Sequence, residues 1–297
     1  MNQTYKAGFV NIIGKPNVGK STLMNALVGE QLSIITYKAQ TTRHRIMGVV
    51  NGTDWQIVYS DTPGMVDNPG YKMHEAMNRF VQTALHDADV VLILLDATNQ
   101  QEKASEYAKR LQKISAPVLI LLNKCDAVSE DKANVILAEW QKDFPTAVGY
   151  YRISALKNQN LEPILPKIID LLPFHPPYYD EETLTDRPVR FFIAEIIREK
   201  ILLLYADEIP YSVEVVIDEY KESPEIDRIR AIIVTNRPSQ KPILIGKNGA
   251  MLKKVGTQAR LTMEAFLEKK VFLELFVKVK ENWRNDEQFL QSKGYEV

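Results

Sequence analysis

Short apolar runs alternate with amphipathic segments through the first part of the chain, the pattern of a parallel sheet covered by helices. The apolar runs predict strands over residues 8–13, 45–51, 56–60, 90–95, 118–122 and 149–153. Helical spacing predicts helices over 20–28, 71–85, 102–114, 131–142 and 161–172. Residues 173–188, PFHPPYYDEETLTDRP, break both periods with prolines and polar side chains and predict a linker. The order then changes to a helix over 189–205, paired strands over 212–220 and 227–235, a helix over 249–267 and a last strand over 271–280. The expected organisation is an α/β domain over residues 1–174, a linker over 175–187 and an α+β domain over 188–297.

A length of 297 residues agrees with two domains, and 45% hydrophobic with 25% charged residues is ordinary for a globular chain. The longest apolar runs, VVLILL and PVLILL, are far short of the roughly 18 residues of a membrane span. The start, MNQTYKAGFVNIIG, lacks a basic region, a long apolar segment and a cleavage site, so a cytoplasmic protein with no integral membrane segment is expected. One cysteine, Cys125, excludes an internal disulfide and a cysteine metal cluster. The net charge of -1 hides an asymmetry: residues 207–227 hold eight acidic side chains against Lys221, whereas Arg237, Lys241, Lys247, Lys253, Lys254 and Arg260 form a basic run with no acid. That run is either a solvated face or a surface for a polyanion.

GKPNVGKST, beginning at Gly14, fits G-x-x-x-x-G-K-[ST] between an apolar strand and a helical segment. Gly14 and Gly19 let the backbone wrap phosphates, Lys20 reaches the β- and γ-phosphates, and Ser21 offers a Mg²⁺ ligand. This motif specifies a nucleoside triphosphate without its base. NKCD follows the strand PVLILL and supplies the base. The Asp126 carboxylate can accept from guanine N1–H and the 2-amino group, Asn123 supports the loop or meets N7, and the Lys124 stem covers the ring. In DTPG, Asp61 offers a carboxylate toward Mg²⁺ and the Gly64 N–H can meet a γ-phosphate. TYKAQTTRHR, from Thr36, has no core pattern and can close on the nucleotide; Thr42, or its neighbour Thr41, would give Mg²⁺ a hydroxyl, with Thr42 preferred. SALK, from Ser154, either brings backbone N–H groups to guanine O6 or is a helix cap.

In order and spacing, these five segments resemble the guanine-nucleotide motifs of the translation-factor-related GTPases. Joined to LIGKNGAMLKK in the C-terminal part, they resemble the Era family of bacterial GTPases over nearly the whole chain. The departure noted is Lys15, where the family more often has arginine. The resemblance implies a P-loop GTPase domain with a mainly parallel sheet, followed by a type II KH domain. It implies GTP and GDP as ligands, Mg²⁺ as cofactor with Ser21, Thr42 and Asp61 as ligands, and hydrolysis of GTP served by Lys20, Thr42, Gly64 and Asn17. Carried over position by position, the nucleotide set adds Lys15, Pro16, Val18, Thr22, Thr62, Pro63, Ala155 and Leu156 to the residues already named. Met65 stands where Ras-like GTPases place a water-orienting glutamine, and a thioether cannot orient water. Related GTPases with an apolar residue there carry a P-loop asparagine, here Asn17, that helps hold an activating potassium ion; the alternative is that Asn17 only shapes the loop.

Gly246, Lys247, Asn248 and Gly249 fill the G-x-x-G position of a KH module, with Leu244 and Ile245 as expected groove wall and Lys253 and Lys254 as further phosphate contacts. By resemblance the partner is the 3′ end of small-subunit ribosomal RNA, and the process is maturation of the 30S precursor. The main alternative is a GTPase whose C-terminal domain binds a protein, or an anionic membrane surface at the inner face of the cell membrane as a peripheral protein. A P-loop kinase is a third reading, which NKCD opposes.

Overall fold

The computed structural model describes residues 4–99 and 114–297; the helix expected over 102–114 lies, but for its last residue, outside them. The chain divides into two compact units. One comprises Met1–Ser33, Thr42–Asp67 and Met77–Asp186, and the other comprises Ile34–Thr41, Asn68–Ala76 and Arg187–Val297.

In the first unit, β1 (Lys6–Gly14), β2 (Ile46–Asn51), β3 (Trp55–Asp61), β4 (Val90–Asp96), β5 (Val118–Asn123) and β6 (Gly149–Arg152) form one sheet in the order β2-β3-β1-β4-β5-β6. All neighbours run parallel except β2, which is antiparallel to β3. The central strands are unbroken apolar runs because helices cover both faces, so β5 is buried at every position. Helices α1 (Lys20–Val28), α2 (Lys72–His86), α3 (Glu130–Asp143) and α4 (Ile164–Leu171) follow the expected periods. The last starts at Ile164, three residues later than its apolar pattern, directly after Pro163, whose fixed φ suits a helix start. Because the strands are parallel, the turns after β1, β3, β5 and β6 emerge at one edge of the sheet, where such folds bind ligands.

The linker expected over 175–187 is an ordered strap on the first unit. Gln56 Oε1 accepts from the N–H groups of Tyr178 (2.7 Å) and Tyr179 (3.0 Å). The Tyr178 ring stacks on His175 and meets Phe9, and Thr185 bridges antiparallel to Gly48 of β2. The strap thereby satisfies edge-strand groups that would otherwise invite pairing.

In the second unit, α5 (Val189–Leu204), β7 (Val213–Lys221), β8 (Ile226–Thr235), α6 (Gln240–Ile245), α7 (Ala250–Leu267), β9 (Lys270–Val279) and α8 (Glu287–Ser292) occur in that order. The sheet is β7-β8-β9, with β7 antiparallel and β9 parallel to β8. Ile193, Ile197 and Ile201 of α5 and Val255, Ala259 and Met263 of α7 bury against one face of it. Helices α6 and α8, six residues each, carry too short a period to be read from sequence. Within this unit the buried Arg198 guanidinium pairs with Glu195 and donates to the carbonyls of Gln40 and Thr41.

Candidate functional site

The loop after β1 is held in shape before any ligand is considered. Asn17 (φ 64°) and Gly19 (φ 100°) adopt left-handed backbone, and a Cβ on Gly19 would lie 2.4 Å from Asn123 Nδ2, so only glycine fits there. Lys20, 6% exposed, donates to the carbonyls of Gly14 (2.9 Å) and Lys15 (2.8 Å). Burial pushes its pKa down to about 8, against the opposing pull of the Asp61 charge. Lys15, Pro16 and Asn17 are exposed, Val18 is buried, and Thr22 follows Ser21 on the first turn of α1.

Three oxygen-bearing side chains converge beside this loop. Ser21 Oγ donates to Asp61 Oδ2 at 2.7 Å, Thr42 Oγ1 lies 2.9 Å from Ser21 Oγ, and Thr42 Oγ1 donates to Asp61 Oδ2 at 3.2 Å. Asp61 is fully buried, its carboxyl held above the usual range by burial against the opposing pull of Ser21, Lys20, Ser33 and Thr42, and Oδ1 has no hydrogen-bond partner among the described residues. A buried carboxylate oxygen without a donor, flanked by two hydroxyls, fits a hard cation such as Mg²⁺. Thr41 is not part of this cluster: its hydroxyl donates to Lys38 O at 2.7 Å. The segment from Thr42 to Arg45 is buried rather than an open polar loop, because Arg45 pairs with Asp87 and bonds Asn11 and Ser60.

Gly64 lies against the P-loop, where a Cβ would meet Pro16 Cγ at 2.7 Å. Thr62, expected in the nucleotide set, turns its hydroxyl away from the P-loop. Its side chain is fully buried and donates to Ile12 O, so it anchors the turn to β1; Pro63 is buried as well. Met65 packs on the first unit's core.

The base loop is tied to the P-loop. Asn123 Nδ2 donates to Val18 O at 2.8 Å and its Oδ1 accepts from Ala155 N at 2.9 Å. Lys124, at φ 62°, donates from Nζ to Asn17 O (2.8 Å) and Asp96 Oδ2 (2.6 Å). Asp126 is exposed at the mouth of the site. Of the SALK segment, the Ser154 N–H goes to Gln159 O and the Ala155 N–H to Asn123 Oδ1, while Leu156, 75% exposed, lies at the mouth. Asp96 was missed by the sequence reading. Its signal was an acid ending an apolar strand, and the β4–β5 register pairs it with Asn123.

In the second unit, Gly246 (φ 72°), Asn248 (φ 53°) and Gly249 (φ 77°) give three positive-φ residues in four, and a Cβ on Gly246 would collide with Met251. Lys247, Asn248, Lys253 and Lys254 are exposed. Gly249 precedes α7 without a side-chain cap; the Ala250 N–H bonds back to the Lys247 carbonyl, and the rest of the first turn has no capping side chain at Gly249. A cavity of about 390 Å³ lies between α7 and β9, lined by Gly249, Leu252, Lys253, Gly256, Thr257, Arg260, Leu273 and Leu275. Leu244 is not groove wall: it is fully buried in the unit's core, and Tyr205 Oη donates to its carbonyl. Ile245, half-buried, packs against the same core, and the apolar lining of the cavity comes from Leu252, Leu273 and Leu275.

A P-loop with a guanine-type base loop, joined to a G-x-x-G module, defines a GTPase with a KH domain. Two family models agree, a 50S ribosome-binding GTPase over residues 9–124 and a KH domain over residues 208–284. GTPase Era of Leuconostoc citreum (strain KM20) is 42% identical over 98% of this chain and 97% of its own length. A chloroplastic ERA-like GTPase of Arabidopsis thaliana is 42% identical over 99% of this chain and 70% of its own length. Among solved structures, Era in complex with MgGDPNP and nucleotides 1506–1542 of 16S ribosomal RNA is 37% identical, with a TM-score of 0.93 over 99% of this chain and 100% of that one. A variant of Aquifex aeolicus Era bound to GDP·AlF₄⁻ is also 37% identical, with a TM-score of 0.92 over 98% and 100%. The chain belongs to the Era family of GTPases. Among the described residues no helix is long and apolar enough to cross a membrane.

Proposed function

We propose that this chain binds and hydrolyses GTP as a switch, binds the 3′ end of small-subunit ribosomal RNA in its KH groove and assists maturation of the 30S subunit. The observation that carries the reading is the presence, in one chain, of a guanine-type nucleotide site and an open groove beside a G-x-x-G loop, in a family with a member solved on that RNA. Lys20 draws the β- and γ-phosphates into the loop, and Asp126 selects guanine because an adenine would leave that carboxylate unpaired. Ser21, Thr42 and Asp61 would hold Mg²⁺, which offsets phosphate charge when bound. Thr42 and the Gly64 N–H register the γ-phosphate.

With Met65 in place of a water-orienting side chain, intrinsic turnover is slow. Asn17 is the residue that would face an activating potassium ion; its side chain is exposed while its carbonyl is taken by Lys124. Residues 34–41 and 68–76, which flank the two γ-phosphate sensors in sequence, group with the C-terminal unit, and this supports a switch that alters RNA binding. If GTP raises RNA affinity, linkage requires RNA to raise GTP affinity equally.

The test is fluorescence titration of the RNA 3′ end with protein loaded with GDP or a non-hydrolysable GTP analogue. Salt-sensitive binding that depends on the nucleotide, and is lost in Lys247→Asp/Asn248→Asp, is the expected result. Absence of binding in both states overturns the RNA reading. Binding of the same protein to anionic vesicles would transfer the basic run to a membrane role.

A further inference from the structure

The β7-β8-β9 sheet is covered by α5 and α7 on one face, toward which Ile229, Ala231 and Ile233 of β8 and Val271 and Val277 of β9 turn. Side chains alternate along a strand, so the intervening positions face the other way. On β9 these include Phe272 and Phe276, 44% and 46% exposed. Each ring carries a guanidinium: Arg228 lies 5.4 Å from the Phe272 centroid and Arg230 lies 6.0 Å from that of Phe276. Single exposed apolar residues are ordinary, but two rings on one strand, each under an arginine, form a surface with a chemical character.

That character is cationic and aromatic. The outward positions of β8 and β9 hold four basic residues, with Lys270 and Lys278 joining the two arginines, against the single acid Glu274, in a chain of net charge -1. Arg230 is bracketed by Glu274 (3.4 Å) and Glu219 (3.8 Å), whereas Arg228 has no acidic partner among the described residues. Phenylalanine and arginine also occur in protein–protein interfaces, but lysine is depleted there, so a face that adds Lys270 and Lys278 to its arginines and carries only Glu274 against them suits a polyanion better. The face is also continuous with the groove: Leu273 and Leu275, on the same strand, line the cavity, and β9 is an edge strand. A polymer leaving the cavity therefore reaches Phe272 and Phe276 by passing round one strand edge. A G-x-x-G groove takes about four nucleotides, while the RNA in the related complex runs from nucleotide 1506 to 1542.

We propose that the outer face of this sheet is a second RNA-binding surface, where unpaired bases adjoining the groove-bound stretch stack on Phe272 and Phe276 while Arg228 and Arg230 meet the phosphates. The proposal rests on the RNA-binding reading of the KH groove. Bases stack on aromatic rings and on guanidinium planes alike, so each Arg–Phe pair opens to admit a base without losing the arginine's attraction for phosphate. The surface adds length and salt dependence to recognition, and the groove keeps the sequence-reading contacts.

The test compares two probes on the full chain: a single strand of about four nucleotides from the RNA 3′ end, sized to the groove, and the whole 1506–1542 fragment. Phe272→Ala/Phe276→Ala should bind the fragment about tenfold or more weakly and the short strand unchanged. Arg228→Gln should lower the salt slope for the fragment alone by about 0.7. Unchanged fragment affinity in a variant with wild-type thermal midpoint overturns the proposal, as does an equal loss on both probes. Unchanged RNA affinity with weaker binding to the 30S particle makes the face a protein site and overturns it too. A wild-type protein that binds neither probe removes the groove reading and the proposal together; a wild type that binds both, with the double variant matching it, removes the proposal alone.

Discussion

Each unit carries a glycine–lysine loop leading into a helix, and the two loops differ in how far their polar groups are already engaged. Lys20 is buried and donates to two carbonyls of its own loop, and Asn123 and Lys124 brace that loop from the side. Lys247 is exposed, on a loop of three positive-φ residues with no comparable brace among the described residues. The braced loop suits a small anion of fixed shape; the open one suits a polymer that arrives along a surface. The buried carboxylates repeat the contrast. Asp61 keeps one oxygen without a partner among the described residues and is held above its ordinary pKa by burial, whereas Asp227 accepts from Tyr220 and the Ser223 N–H and pairs with Lys269 at 3.1 Å. Unsatisfied burial marks the group that awaits a ligand, and satisfied burial marks the group that holds the fold.

Asp61→Asn should break this contrast most sharply. GTP hydrolysis should fall by about a hundredfold or more, because the carboxylate of the cation site is gone. Stability without nucleotide should rise. With its folded-state pKa raised by burial, Asp61 binds its proton more tightly folded than unfolded, so it weakens the fold as pH climbs past the unfolded value, and the amide removes that penalty. Phosphate release and a thermal melt decide the matter; a midpoint lowered by several degrees would show that Asp61 is structural.

Lys247→Ala addresses the open loop and should have a middling effect. RNA affinity should drop severalfold and the salt slope should decrease by about 0.7, the value for one phosphate contact on a single strand. The thermal midpoint should stay within about a degree, since an exposed side chain is removed. Hydrolysis measured without RNA should not change. A slope identical to wild type would mean that Lys247 touches no phosphate.

How much of this was legible in the sequence follows from the range of the interactions. Gly19 and Gly246 could be read because positive φ and close approach are local demands that glycine alone meets. The strands could be read because two-faced burial leaves an unbroken apolar run, as in β5. Leu244 was misplaced because its neighbours do not say which side of a six-residue helix faces the core. Leu273 and Leu275 were passed over as groove wall because they reach the loop only through the β8–β9 pairing, far along the chain. The Asn123–Ala155 bond and the docking of Tyr178 on Phe9 are likewise long-range, and no local period announces them.

Asp227→Asn gives the smallest expected effect and completes the comparison with Asp61. Burial alone would raise the Asp227 pKa, but Lys269, the Ser223 N–H and Tyr220 together hold it below the ordinary value, while the Tyr220 hydroxyl is pushed up to about 12 by burial and by that carboxylate. A depressed folded-state pKa contributes stability that is present above the unfolded value of about 3.9 and is lost as pH falls through the folded one. At neutral pH the variant's thermal midpoint should therefore lie a few degrees below wild type. In acid the gap should close as the wild-type carboxylate takes up its proton. GTP hydrolysis should be unchanged at either pH where both proteins are folded, in contrast to Asp61→Asn. A gap that persists unchanged down to pH about 2 would assign the loss to packing rather than to charge.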